Sequence, residues 1–270
     1  MQSIFSSVEM NDWIFYSIAS GSSGNCYYIG NNQYGFLIDA GISARSIVKY
    51  LKSINIDIHK IRALFITHIH KDHTQSMCVF GNKWNIPVYA TQTFFSMMDR
   101  ANYIHKKVAV TNRKYLEHEG RVQLGDFHIT SFYIPHDAVD NSGYIIEYQG
   151  KKLVLATDVG HVTPRLTQAV READYLIIES NHDIDMLMNG SYSEKLKIRV
   201  SSNMGHMSNH EAAELVSSHA SPNLKQVFLC HLSEENNTPK LAVTTMSDAL
   251  QHKIPVVALK RKEACLFDLL

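Results

Sequence analysis

No two cysteines in this 270-residue chain are close enough to make a CxxC pair. The four present (Cys26, Cys78, Cys230 and Cys265) are widely spaced and read as reduced, buried small residues rather than a disulfide framework. No apolar run reaches about 18 residues, so no segment reads as a membrane span. Residues 1–10 lack a basic start and a long apolar stretch, which argues against a secretory signal and for a flexible tail, with Met10 an alternative start. A cytoplasmic location is the expectation. Net charge is absent too: Lys+Arg and Asp+Glu stand at 26 each, so a nucleic-acid partner would need a local basic patch. With no internal repeat, low-complexity segment or linker, residues 1–270 are expected to form one domain.

Hydrophobic residues make up 45% of the chain, and there are 15 histidines. The pattern predicts an antiparallel meander over 13–19, 26–29 and 35–38. The Gly-rich stretch Ser20–Asn25 joins strand to strand, so it is no phosphate-binding loop of the kind that opens a helix; a hairpin turn is expected, with its amides available to an anion as the sharper reading. Ser43 caps a helix with apolar Ala44, Ile47, Val48 and Leu51 at helical spacing. A strand at 63–66 follows, then helices near 72–80 and 91–101 around a short strand at 87–89, an α/β rhythm. Strands are expected at 127–134, 143–148, 152–156, 175–178, 226–229 and 255–259. Helices are expected at 164–170, after the capping box Ser208–Glu211, and at 239–250.

The chemistry is concentrated where these strands stop. Thr67-His68-Ile69-His70-Lys71-Asp72-His73 places three imidazoles and a carboxylate in one turn, the donor types that divalent metals take. Further along, His136, Asp158, Glu179-Ser180-Asn181-His182 and His231 each follow a strand, at the edge where layered α/β folds bind ligands. His161 and His182 read as hydrogen-bonded turn residues. The donors suffice for two ions. His68, His70 and His136 would hold the first; Asp72, His73 and His231 the second; Asp158 would bridge them, with a shared water activated between two cations. Asp39, Asp137 and Glu179 are candidate partners for the outer ring nitrogens. His206, just before the capped helix, is a candidate proton donor, with the helix N-terminus favouring a phosphate.

These residues resemble the metallo-β-lactamase superfamily. Its signature H-x-H-x-D-H is His68-Ile69-His70-Lys71-Asp72-His73 here, and its later His, Asp and His match His136, Asp158 and His231 in order. The resemblance implies a four-layer αββα sandwich, an α/β fold, with the site at one edge of the two sheets. The stretches Pro135-His136-Asp137-Ala138, Ala156-Thr157-Asp158-Val159-Gly160-His161, Glu179-Ser180-Asn181-His182-Asp183 and Gly205-His206-Met207-Ser208-Asn209, with Ser20–Asn25, look like the YycJ/WalJ-type branch, bacterial members described as 5′→3′ DNA exonucleases. The match spans nearly the whole chain.

The expectation is therefore a dinuclear-metal phosphodiesterase, most specifically a 5′→3′ exonuclease acting on DNA ends or single strands, with Asp72 and His206 as catalytic residues. Zinc or manganese suits the donor set, and iron is admissible. Lys107, Arg113, Lys195, Lys197 and Arg199 are candidate backbone contacts. Two other readings compete: a hydrolase of a small ester, lactone, lactam, thioester or cyclic phosphodiester, and a non-catalytic metal-stabilised binding protein. A complete, water-accessible donor set argues against the second.

Overall fold

The computed structural model describes residues 13–101 and 106–269. The expected tail and Met10 lie outside them. β1 (Ile14–Ala19), β2 (Cys26–Gly30) and β3 (Gly35–Ile38) form the antiparallel meander, and β4 (Ile61–Phe65), β5 (Val88–Ala90) and β6 (Arg113–Tyr115) add in parallel beside β3. The second sheet runs from β7 (Arg121–Leu124) through β8 (Phe127–Tyr133), β9 (Ser142–Tyr148) and β10 (Lys151–Ala156), all antiparallel. It continues in parallel through β11 (Tyr175–Glu179), β12 (Gln226–Cys230) and β13 (Val256–Ala258). The chain then returns to the first sheet, where β14 (Cys265–Asp268) pairs with β1.

The strands alternate between two apolar layers, which is why their sequences read as continuous hydrophobic runs. In β1, Phe15 faces the other sheet while Ile14, Tyr16 and Ile18 face helices. In β10, Leu153 and Leu155 face inward while Val154 and Ala156 face outward. An aromatic-rich layer of Phe15, Tyr27, Phe36, Phe65, Phe127, Tyr144 and Phe228 fills the space between the sheets. On the outer face of the first sheet lie α1 (Ala44–Ser53), α3 (Met77–Lys83) and α4 (Gln92–Arg100), and the four-residue α2 (Lys71–Thr74) follows β4 in the chain. The second sheet is covered by α5 (Pro164–Glu172), α8 (Asn209–His219) and α9 (Pro239–Ala249), while the short α6 (Ile184–Asn189) and α7 (Glu194–Val200) lie between β11 and α8 in the chain. The result is the expected αββα sandwich.

Three expectations are corrected. The helix expected at 72–80 is two helices, broken at Gln75–Ser76: the Ser76 amide donates to the Ala40 carbonyl and its hydroxyl to the Ile42 carbonyl, so tertiary bonds interrupt the ladder. The edge strands β6, β7 and β14 and the helices α6 and α7 were not expected. Cys26 and Cys230 are buried, but Cys78 and Cys265 are only half-buried. The expected strands 143–148 and 152–156 are joined by a hairpin at Gly150. Gln149 and Gly150 both take positive φ (50° and 75°), the backbone that closes a two-residue hairpin.

Candidate metal centre

β4 ends at Phe65 and hands the chain to Thr67, whose amide and hydroxyl donate to the two oxygens of buried Asp39, both at 2.9 Å. That anchor fixes the turn. The Thr67 hydroxyl also lies 3.0 Å from His68 Nδ1, so His68 turns Nε2 outward, 3.1 Å from His70 Nδ1. His136, after β8, closes the trio, with its ring centroid 5.1 Å from that of His68 and 5.2 Å from that of His70. Its Nδ1 donates to the Gly205 carbonyl at 2.9 Å, which leaves Nε2 facing the other two rings, buried and without a hydrogen bond. A buried polar nitrogen left in that state is costly unless something accepts its lone pair.

α2 begins at His70 and carries Asp72 and His73 one turn onward. His73 Nδ1 bonds Asp39 at 2.7 Å, and its Nε2 lies 3.3 Å from Asp158 Oδ2 and 3.4 Å from Asp72 Oδ2. His231 Nε2, the second buried and unbonded nitrogen, stands 3.5 Å from both Asp72 Oδ2 and Asp158 Oδ1. Donors about 2.1 Å from a tetrahedral ion stand ~3.4 Å apart, so these spacings are those of a ligand shell. Asp158 presents Oδ2 to His73 and Oδ1 to His231 and, at 3.7 Å, to His136. One carboxylate thus spans both groups of donors. The residues present fit a pair of divalent cations.

Backbone strain gathers at the same points. Asp39, Asp158 and His231 follow strands from both sheets with φ of 59°, 56° and 54°, the left-handed region that non-glycine residues seldom enter. The reversal turns each side chain off its strand line and into the site. Gly41 lets the loops close together: a Cβ there would lie 1.6 Å from the Asp72 carbonyl oxygen, which accepts the Asn25 amide at 2.8 Å.

The electrostatics divide the two groups. Burial, reinforced by the neighbouring imidazoles, holds His68 well below the ordinary histidine range, and burial lowers His70 and His136 as well. These three are neutral, the form that ligates. In the second group burial also disfavours charge, but the carboxylates outweigh it. Asp158, Asp39 and Asp72 carry His73 well above its usual range, and Asp158, Asp72 and Glu179 push His231 up to about 10. Burial raises Asp39, and the imidazolium it bonds pulls the other way; the proton stays on His73, which has three carboxylates around it. The second group is a field that demands positive charge, from protons or from metal.

Glu179 is fully buried and serves two rings through Oε1: His206 Nδ1 at 2.8 Å and His231 Nδ1 at 3.1 Å. Asp39 and Glu179 therefore take the orienting role expected of them. Asp137 does not take it for His136, whose outer nitrogen goes to Gly205; its Oδ1 sits on the inward side, 3.1 Å from His136 Nε2 and 3.6 Å from His70 Nε2. His206 does reach the site, its ring stacked on His231 at 5.2 Å between centroids. The helix start beside it offers no phosphate cradle from 206 to 209: those amides donate to Val200, Glu179, Glu211 and His182. His161 Nδ1 is hydrogen-bonded to the Asn203 carbonyl, as expected, whereas His182 Nδ1 is buried without a partner.

Of the expected backbone contacts, three are committed elsewhere. Lys107 Nζ donates to the Met98 and Ala101 carbonyls, Arg113 makes a two-pronged pair with Asp99, and Lys197 is buried against Glu194 and the Met188 carbonyl. Lys195 is exposed. Arg199 lines a cleft of about 160 Å³ with Ser22, Asn181, Tyr192, His206 and Ser233. Sequence reasoning named Arg199 and His206 but missed the roles of Gly205 and Thr67 and the lining by Ser22, Tyr192 and Ser233. Only the quoted Ser- and Gly-rich stretches around them gave a sign.

A beta-lactamase superfamily domain matches residues 34–231. Exodeoxyribonuclease WalJ of Streptococcus pneumoniae is 38% identical over 237 residues, 87% of each chain, and Exodeoxyribonuclease YycJ of Bacillus anthracis is 32% identical over 240, 88% of this chain and 89% of that one. The structure of Zn(2+)-bound PqqB from Methylobacterium extorquens superposes with a TM-score of 0.72 at 15% identity, covering 95% of this chain and all of that one, a likeness of fold. The chain belongs to the beta-lactamase superfamily of metal-dependent hydrolases, in the group that holds the WalJ and YycJ exodeoxyribonucleases.

Proposed function

We propose that this protein is a two-metal phosphodiesterase that degrades DNA exonucleolytically from the 5′ end. The observation that carries the reading is Asp158, whose Oδ2 faces His73 and whose Oδ1 faces both His231 and His136, so that one carboxylate stands between two groups of donors at ligand-to-ligand spacing. The exodeoxyribonuclease names of the relatives support DNA as the polymer. His68, His70 and His136 would hold one ion, Asp72, His73 and His231 the other, and Asp158 both. Two such ions supply an acidified water and offset charge on the phosphate. The chain's own residues do the rest. Asp39, Glu179 and the Gly205 carbonyl lock the ring orientations, which costs nothing at the moment of reaction. Asp72 and His70, with side chains 26% and 33% exposed, are the donors open to the substrate side.

His206 is the proton donor in this scheme. Burial works against charge on its ring, but Glu179 more than compensates and raises its pKa above the usual value. With Nδ1 committed to Glu179, Nε2 is left to protonate the leaving oxygen.

The test is turnover of 5′- and 3′-labelled single- and double-stranded DNA by metal-stripped protein, then with Mn²⁺ or Zn²⁺ restored, with Asp72→Ala as control. Metal-dependent release of mononucleotides from the 5′ label, lost in the variant, is the expected result. Intact DNA and RNA under full metal loading would transfer the reading to a small ester or cyclic phosphodiester.

A further inference from the structure

Asp137 was expected behind a metal ligand, and Arg199 at the substrate's backbone. The structure ties the two together. Asp137 Oδ2 accepts from Arg199 Nε at 2.6 Å and lies 2.6 Å from Nη2 of the same guanidinium, while its Oδ1 lies against His136 Nε2 and His70 Nε2. The Arg199 side chain is 59% exposed on the lip of the cleft that also holds His206. Its backbone is fixed from the same direction. The Val200 carbonyl accepts the His206 amide at 2.8 Å, and a Cβ on Gly205 would lie 2.2 Å from that carbonyl and 2.3 Å from the one of Arg199. Gly205 in turn supplies the carbonyl that orients His136. Substrate-side cation and metal-side imidazole therefore share one support.

We infer that Asp137 is a positioning residue that holds Arg199 for a substrate phosphate and links that contact to the His70–His136 side of the centre. This rests on the phosphodiesterase reading. Arginine is the suited cation, because its fork can stay on one carboxylate oxygen while the remaining N–H groups reach the anion. Asp137 balances the guanidinium in the resting protein, so the cleft does not present a bare cation; the phosphate then meets a donor already in place, which is where preorganisation gains affinity.

The experiment is a double-mutant cycle on the metal-loaded protein with Asp137→Ala, Arg199→Ala and the pair, with Arg199→Lys alongside. Inorganic phosphate affinity is measured by calorimetry, single-stranded oligonucleotide affinity as a function of salt, and metal content by mass spectrometry. Each single variant is expected to weaken phosphate binding by about tenfold or more. The double variant should be no weaker than Arg199→Ala, and Arg199→Lys should recover only part of the loss. The slope of log affinity against log salt should fall by about one unit in Arg199→Ala. Effects that add in full, or loss of metal in Asp137→Ala, would overturn the inference, the latter by making Asp137 a ligand. Coupling on phosphate without any DNA cleavage would leave the inference standing and remove only the nuclease reading.

Discussion

At the scale of single residues, the site is a set of imidazoles with one nitrogen tied and one presented. Thr67 ties His68, Asp39 ties His73, Gly205 ties His136 and Glu179 ties His231. Removing a tie should weaken the metal without removing a ligand. Asp39→Ala is expected to lower metal affinity by about 10–100-fold, read by competition with a chelating dye. His206→Ala should keep the metal content and lower kcat by roughly 10²–10⁴ with little change in KM, read in steady-state DNA turnover. A pH effect follows from the raised histidines. The folded pKa of His231 is about 10, against roughly 6.5 in an unfolded chain. In metal-free protein its contribution to stability is fully present below that lower value and lost as pH rises through 10. Metal must displace those protons, so affinity should rise with pH across the neutral range, with about two protons released from His73 and His231. Calorimetry in buffers of different ionisation enthalpy measures that number.

The donors themselves were legible in the sequence because each is a His or Asp at a strand's end. Of the ties, Asp39 and Glu179 were legible as carboxylates at strand ends, but Thr67 and Gly205 were not: Gly205 acts through its backbone, and the committed lysines look no different on paper from free ones. Whether Lys107 is a surface cation or a clamp on two carbonyls is decided by where α4 ends, which a one-dimensional string does not state.

At the scale of elements, legibility followed burial. Strands with both faces covered announced themselves by apolar runs. The edge strands β6 (Arg113-Lys114-Tyr115) and β7 (Arg121-Val122-Gln123-Leu124) carry mixed sequences, and their pairing is imposed by a neighbour. The break between α2 and α3 likewise comes from Ala40 and Ile42, more than thirty residues upstream. That break lets α2 act as an independent platform for Asp72 and His73, seated on Gly41. Gly41→Ala should push this platform off its seat, lower thermal stability by an amount equivalent to about 1–3 kcal/mol, and reduce occupancy of the second ion more than the first. Thermal melts and metal counts on the same sample check both.

At the scale of the whole molecule, the two sheets meet at one edge and both feed the centre: β3 and β4 from one, β8, β10, β11 and β12 from the other. Bound metal would hold the halves of the sandwich together. Chelation should lower Tm by about 5–10 °C if the ions are normally held at about a hundred times their dissociation constant, and added Mn²⁺ or Zn²⁺ should restore it. Differential scanning calorimetry with and without chelator measures it.

The division of donors between the sheets also sets a timetable for the growing chain. A polypeptide emerging from its N-terminus completes β1 to β6 with His68, His70, Asp72 and His73 in hand, yet owns neither full shell. His136 arrives with β8, Asp158 with β10, and His231 only once β12 has threaded beside β11. On the two-metal reading proposed above, nascent protein would lack a donor of the second group until β12 is placed. By that reading, activity would wait for β12, and a product truncated before it would be inert.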